Sequence, residues 1–128
     1  MGRICKDGIN SDLINGDSIV YGLIHTQHVL SGRWKIMILW LLSTQKRRFG
    51  EIKSTFTNIS QGSLTKQLRE LEKDGFIERH VFSEIPPKVE YSLTEKGMDF
   101  LPILKSVEQF GEKYGQNSLN KEPTDDMT

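Results

Sequence analysis

Ser60 to Gly97 reads SQGSLTKQLRELEKDGFIERHVFSEIPPKVEYSLTEKG, and this stretch decides the fold. Ser60 suits a helix N-cap, because its hydroxyl can satisfy a first-turn amide that has no intrahelical partner. Leu64, Leu68 and Leu71 recur within roughly 60° of one another on a helical wheel, which predicts a helix to about Asp74 with one narrow apolar face. Gly75 fits the left-handed position just past a helix end. Two alternating runs follow, Phe76 to Phe82 and Lys88 to Leu93, with Ile77, Arg79, Val81 and Val89, Tyr91, Leu93 as the alternating sets. Pro86 and Pro87 cannot donate to a β ladder, so they belong at the tip of the hairpin. Thr94 can cap a last helix from Glu95 to about Tyr114, with Met98, Leu101, Leu104, Val107 and Phe110 along one side. Pro102 within it predicts a kink or a distorted first turn.

Toward the N-terminus, Phe49, Ile52 and Phe56 predict a helix over 49–56, and Thr57-Asn58-Ile59 is the turn before Ser60. Thr44 to Arg48 is a polar connector with room for a very short strand. Arg33 to Ser43 is apolar around nearly its whole circumference, which places that helix in the middle of the fold. Leu23, Ile24, Gln27, Val29 and Leu30 predict a short helix from about Gly22, ended by Ser31-Gly32. Residues 1–18 are polar and aperiodic and read as a flexible arm, and 116–128 as a disordered tail. That leaves 19–115 as one domain. The predicted fold is therefore mainly α with a small β-hairpin (α+β). Two helices joined by a short turn and followed by a hairpin make a winged helix-turn-helix.

The bulk composition excludes several classes. At 128 residues with 36% hydrophobic and 27% charged side chains, the chain is a soluble globular protein with one core. Its longest apolar run, Ile36 to Leu42, is far too short to span a membrane, and no secretory leader is legible, so a cytoplasmic location is expected. A single cysteine, Cys5, excludes an internal disulfide and a multi-cysteine zinc site. Net charge is zero, but residues 33–69 hold Arg33, Lys35, Lys46, Arg47, Arg48, Lys53, Lys66 and Arg69 against Glu51, a local +7. A patch of that sign suits nucleic acid, and equally a solvated basic face.

The helix after Ser60 points to double-stranded DNA. Opposite its leucines it carries Gly62, Lys66, Arg69 and Lys73, flanked by Ser63 and Thr65, the short polar groups and long donors that a major-groove reader needs. Gln61 can bond adenine in a bidentate manner, Lys66 and Arg69 can reach guanine or phosphate, and Gly62 lets the backbone approach closely. Arg47, Arg48, Lys53 and Lys88 are phosphate candidates on the neighbouring elements. Glu70, Glu72 and Asp74 restrict the reader to the first half of the helix. Taken alone, such a helix is more often a solvated face; the order of helix, turn, helix and hairpin carries the reading.

The residues also resemble a known family, the HxlR-type winged-helix transcriptional regulators. The resemblance rests on Leu30-Ser31-Gly32-Arg33-Trp34-Lys35, Arg48-Phe49-Gly50-Glu51-Ile52, Leu64-Thr65-Lys66-Gln67-Leu68-Arg69-Glu70-Leu71-Glu72, Pro86-Pro87-Lys88-Val89-Glu90-Tyr91-Ser92-Leu93-Thr94 and Leu101-Pro102, and covers about residues 21–111. It implies a bacterial or archaeal homodimer that binds palindromic operators, its first and last helices forming the dimer interface. Two departures stand out: Tyr21 occupies the position where members often carry a sensory cysteine, and Gly62 replaces a larger, often basic residue. The effector is left open.

No phosphate-cradling glycine loop, HExxH or GxSxG motif is present, so neither an enzyme nor a cofactor is expected. His25 and His28 lack a third ligand at suitable spacing, so no metal site is expected. Two rivals to a DNA reader remain: a winged-helix protein-interaction module, and a small-molecule sensor that does not read DNA sequence.

Overall fold

A computed structural model of the chain describes residues 18–115. The expected arm, with Cys5, and the expected tail lie outside the described residues, except that Ser18 opens the first helix. Backbone packing divides the chain between Gly32 and Arg33. The first unit contributes α1 (Ser18–Leu30), about one turn longer than its apolar spacing predicts.

The second unit contains α2 (Lys35–Thr44), β1 (Arg47–Arg48), α3 (Phe49–Thr55), α4 (Gln61–Lys73), β2 (Ile77–Phe82), β3 (Lys88–Leu93), α5 (Glu95–Asp99) and α6 (Leu101–Tyr114). The very short strand in the polar connector is β1, and it pairs with β3 rather than β2, giving an antiparallel sheet in the order β1-β3-β2. Ile77 faces Leu93 and Arg79 faces Tyr91 across the hairpin, so the base of one sheet face is apolar and buried. Residues 83–87 form the wing tip, where Ile85 is fully exposed.

The core joins one face of each element: Ile38, Leu39 and Leu42 of α2, Ile52 of α3, the turn residues Phe56 and Ile59, Leu64, Leu68 and Leu71 of α4, and Ile77, Tyr91 and Leu93 of the sheet. Trp34 stacks obliquely on Phe56, ring centres 5.4 Å apart. The apolar helix α2 is central, with Lys35, Ile38, Leu39, Leu41 and Leu42 buried, but it is not enclosed all round. Met37 and Trp40 are exposed while Lys35 is buried, because α4, α6 and β3 cover one side of the helix only.

The predicted last helix is two. Phe100 separates α5 from α6 and buries its ring edge-on against Phe76, 5.8 Å between centres, while Pro102 sits in the first turn of α6, where a missing N–H costs nothing. No residue of α6 is buried, so its apolar side is uncovered in the single chain.

The link from α4 to the wing is built with particular care. Gly75 has φ +84°, its N–H donates to Glu72 O, and the Phe76 N–H donates to Leu71 O, the paired bonds that close a helix through a left-handed residue. Every carbonyl of this turn is then taken by the segment that begins α5. Lys96 Nζ donates to Asp74 O at 2.7 Å, the Thr94 hydroxyl to Gly75 O, and the Thr94 N–H to Phe76 O at 3.1 Å. Gly97 lies so close beneath that a Cβ there would sit 2.2 Å from Phe76 O. G97A is therefore expected to destabilise the fold by about 1–3 kcal/mol through forced backbone displacement, whereas G50A, in the first turn of a helix with its Cβ in open space, should be neutral to slightly stabilising; urea denaturation of both checks this.

Candidate nucleic-acid interface

Helix α4 is capped as its sequence requires: Ser60 Oγ accepts from the Ser63 N–H at 3.1 Å, and the Leu64 N–H reaches Ser60 O. This anchors the first turn on the outside of the molecule. Gln61, Gly62, Thr65, Lys66 and Arg69 line one open depression along the outer face, together with Glu70 and Lys73. Among the described residues, Lys66, Arg69 and Lys73 form no ion pair, so the depression carries uncompensated positive charge; Lys53 on α3 is likewise unpaired among them. Lys73, beyond the first half of the helix, shares this surface with Gln61.

One of the acids near the depression is tied to the scaffold. Glu70 turns to Lys35 of α2, Oε1 to Nζ 3.0 Å, and the lysine side chain is only 4% exposed. Lys35 therefore leaves the basic patch in which its sequence position had placed it and serves as a strut. Gln67, also buried, accepts the Trp34 N–H on Oε1 at 3.0 Å and donates from Nε2 to Ser63 Oγ at 3.1 Å. It sits among Leu64, Leu68 and Leu71 at helical spacing, which was the available sequence signal for its burial. Thr65 donates its hydroxyl back to Gln61 O at 2.9 Å, which leaves its lone pairs and methyl outward.

The flanking candidates differ in how much charge they have to offer. Arg48 is exposed at the start of α3, where the Glu51 carboxylate accepts its backbone N–H at 2.8 Å. Arg47 is half-buried: Nη2 donates to Thr44 Oγ1 at 2.8 Å, and Nε is sealed from solvent with no partner among the described residues. Lys88 stands 3.7 Å from Glu90 and 4.7 Å above the Phe82 ring, so the wing shares its cation internally. Glu90 also lies opposite both Arg48 and His80 in the sheet register.

A helix-turn-helix with an antiparallel wing and an uncompensated cationic reading helix defines the class of winged-helix DNA-binding proteins. Comparison with known proteins agrees. A family model described as HxlR-like helix-turn-helix matches residues 29–119, and the chain belongs to that family. It is 46% identical over 89 residues to the HTH-type transcriptional regulator YdeP of Bacillus subtilis, covering 70% of each chain. It is 40% identical over 113 residues to an HTH-type transcriptional regulator of Methanothermobacter thermautotrophicus, covering 88% of this chain and 86% of the relative. Among solved structures, the reduced form of the redox regulator HypR superposes with a TM-score of 0.70 at 36% identity, covering 81% of this chain and 99% of that one. The chain is thus a DNA-binding transcriptional regulator of the helix-turn-helix type.

Gly62 offers a direct check of the interface. A Cβ built there meets nothing within 4 Å, so the protein's own packing does not require glycine. G62A should stabilise the free protein by up to about 0.5–1 kcal/mol through helix propensity, yet weaken DNA binding severalfold by holding the backbone off the duplex. Denaturation and fluorescence anisotropy on the same preparation would show the opposite signs.

Proposed function

We propose that the protein binds a palindromic operator as a homodimer, each subunit laying the first half of α4 in a major groove, with half-sites about 34–36 Å apart or at a multiple of that spacing. The observation that carries this reading is the depression lined by Gln61, Gly62, Thr65, Lys66 and Arg69, with its cations unpaired among the described residues. Gln61 and Thr65 face base edges, and Ser60 and Ser63 hold the first turn at the duplex. Lys53, Lys66, Arg69 and Lys73 supply the phosphate contacts that set register. Arg48 and Lys88 act from the flank with charge moderated by Glu90. Arg47 contributes least, since its guanidinium is tied to Thr44 and partly sealed.

The dimer surface includes α6, whose Ile103, Val107, Phe110 and Tyr114 are 37–69% exposed, an apolar side that a lone chain leaves in water. Among the described residues no helix is long and apolar enough to cross a membrane, and access to the operator places the protein with the chromosome in the cytoplasm. The neighbour HypR is named a redox regulator. Tyr21 stands where the family's sensory cysteine is expected, and a phenol forms no disulfide, so redox control through that position is not part of this proposal.

Selection from random duplexes should enrich a palindrome. K66A and R69A should each lower affinity for all sequences alike and flatten the dependence of log K on log salt by about one. K88A should do so less, because Glu90 already neutralises part of its charge, and Q61A should change base preference at an unchanged slope. Enrichment of no palindrome, or salt-independent binding, would overturn the reading in favour of a protein-interaction module. F110E should convert the protein to monomers in sedimentation equilibrium and weaken operator binding at equal concentration; an unchanged mass would remove α6 from the interface.

A further inference from the structure

We propose that buried Gln67 takes the inward lone pair of the Ser63 hydroxyl and turns its proton away from the core, so that Ser63 meets DNA as a hydrogen-bond donor. This rests on the reading of α4 as the DNA-contacting helix.

The argument follows from which groups can give a proton and which can only receive one. The backbone N–H of Trp34 can only donate, so the side-chain atom of Gln67 that faces it at 3.0 Å must be the carbonyl oxygen. The amide nitrogen of Gln67 therefore points the other way, to Ser63 Oγ at 3.1 Å, and an amide nitrogen only donates. Ser63 Oγ receives that bond, and its single proton must leave in another direction. Inward escape is not taken. Ser54, Thr55, Thr65 and Ser106 donate their hydroxyls to carbonyls three or four residues back in their own helices, but Ser63 donates to nothing among the described residues.

Its backbone N–H is likewise committed, to Ser60 Oγ. What remains is a hydroxyl on the first turn of α4, half-exposed, with its proton free and its orientation set by a side chain that is only 8% exposed. Thr65, on the outer face nearby, has the reverse polarity, because its own proton goes to Gln61 O. The start of α4 thus offers a donor at Ser63 and an acceptor at Thr65 before DNA arrives. The acceptors that suit such a donor are a phosphate oxygen, N7 or O6 of guanine, N7 of adenine and O4 of thymine. Gln67 is a positioning residue; Ser63 makes the contact.

The test is a double-mutant cycle on the duplex that the wild-type chain enriches from a random pool, read by anisotropy. S63A should cost about tenfold in affinity, the worth of one hydrogen bond to a charged or base acceptor, and S63T should restore it. In a Q67M background, where the hydroxyl is free to rotate among about three wells, S63A should cost about threefold and not tenfold. Q67E supplies the same comparison if Q67M does not fold: its carboxylate keeps the bond from Trp34 and accepts the Ser63 proton, again removing the donor from DNA. Single methylphosphonate and deazapurine replacements in the duplex then locate the acceptor. One position should lose its effect when Ser63 is replaced by alanine, a phosphate position marking register and a base position marking specificity. An S63A cost that is absent, or equally large in all three Gln67 backgrounds, would overturn the proposal while leaving DNA binding intact. Enrichment of no duplex by the wild-type chain would overturn it together with the reading on which it rests.

Discussion

The turn at Asp74, Gly75 and Phe76 is the constraint on which the DNA-reading surface depends. A recognition helix and a wing are useful together only if the angle between them is fixed, and a bare glycine turn would leave a hinge. Here the three successive carbonyls of the turn all accept from the segment that opens α5. Lys96 adds a second contact, its ammonium lying 4.6 Å from the centre of the Phe76 ring. Gly97 is then a matter of space: the chain passes so near Phe76 O that no side chain fits. One residue must have a left-handed backbone and another must have no Cβ, and both demands come from locking a single junction.

A second constraint acts on the other side of the same helix. Gln67 and Glu70 tie α4 to the N-terminal end of α2, through a main-chain amide and a buried lysine. Buried polar links of this sort add little net stability once desolvation is counted, but they define one position and penalise others, because a shift would leave a donor or a charge unpaired. The arrangement also sorts the charges of α4. Glu70, one of its two acids, is satisfied on the scaffold side, and the cations on the outer face are left without partners among the described residues. A chain of zero net charge can in this way present a positive stripe to a polyanion.

The surfaces of α2 and α6 show what a single copy of this fold cannot bury. Met37 and Trp40 on α2, and the apolar side of α6, are exposed although their sequences are strongly apolar or amphipathic. The core is complete without them, since β3, α4 and α6 already cover the inner face of α2. Apolar helices at the margin of a small domain are the ordinary material of an interface between copies.

Much of this was legible in the sequence, and for local reasons. Periodicities of 3.6 and 2, a serine before a leucine stripe, a glycine after it and a proline pair between two strands are short-range demands of backbone geometry, so the order of elements, the cap at Ser60 and the turn at Gly75 followed from the residues. The direction of individual polar side chains did not follow. Lys35 counted as surface charge by its place in a basic segment, but Glu70, 35 residues away, draws it inside. Gln67 is polar by type and buried by register, and Trp34 settles its orientation. The break at Phe100 likewise required Phe76 to be in place before the ring could be buried. Local steric and hydrogen-bonding rules determined the elements of this protein; only tertiary packing decided which charges are free to meet DNA, because pairing depends on neighbours that are distant along the chain.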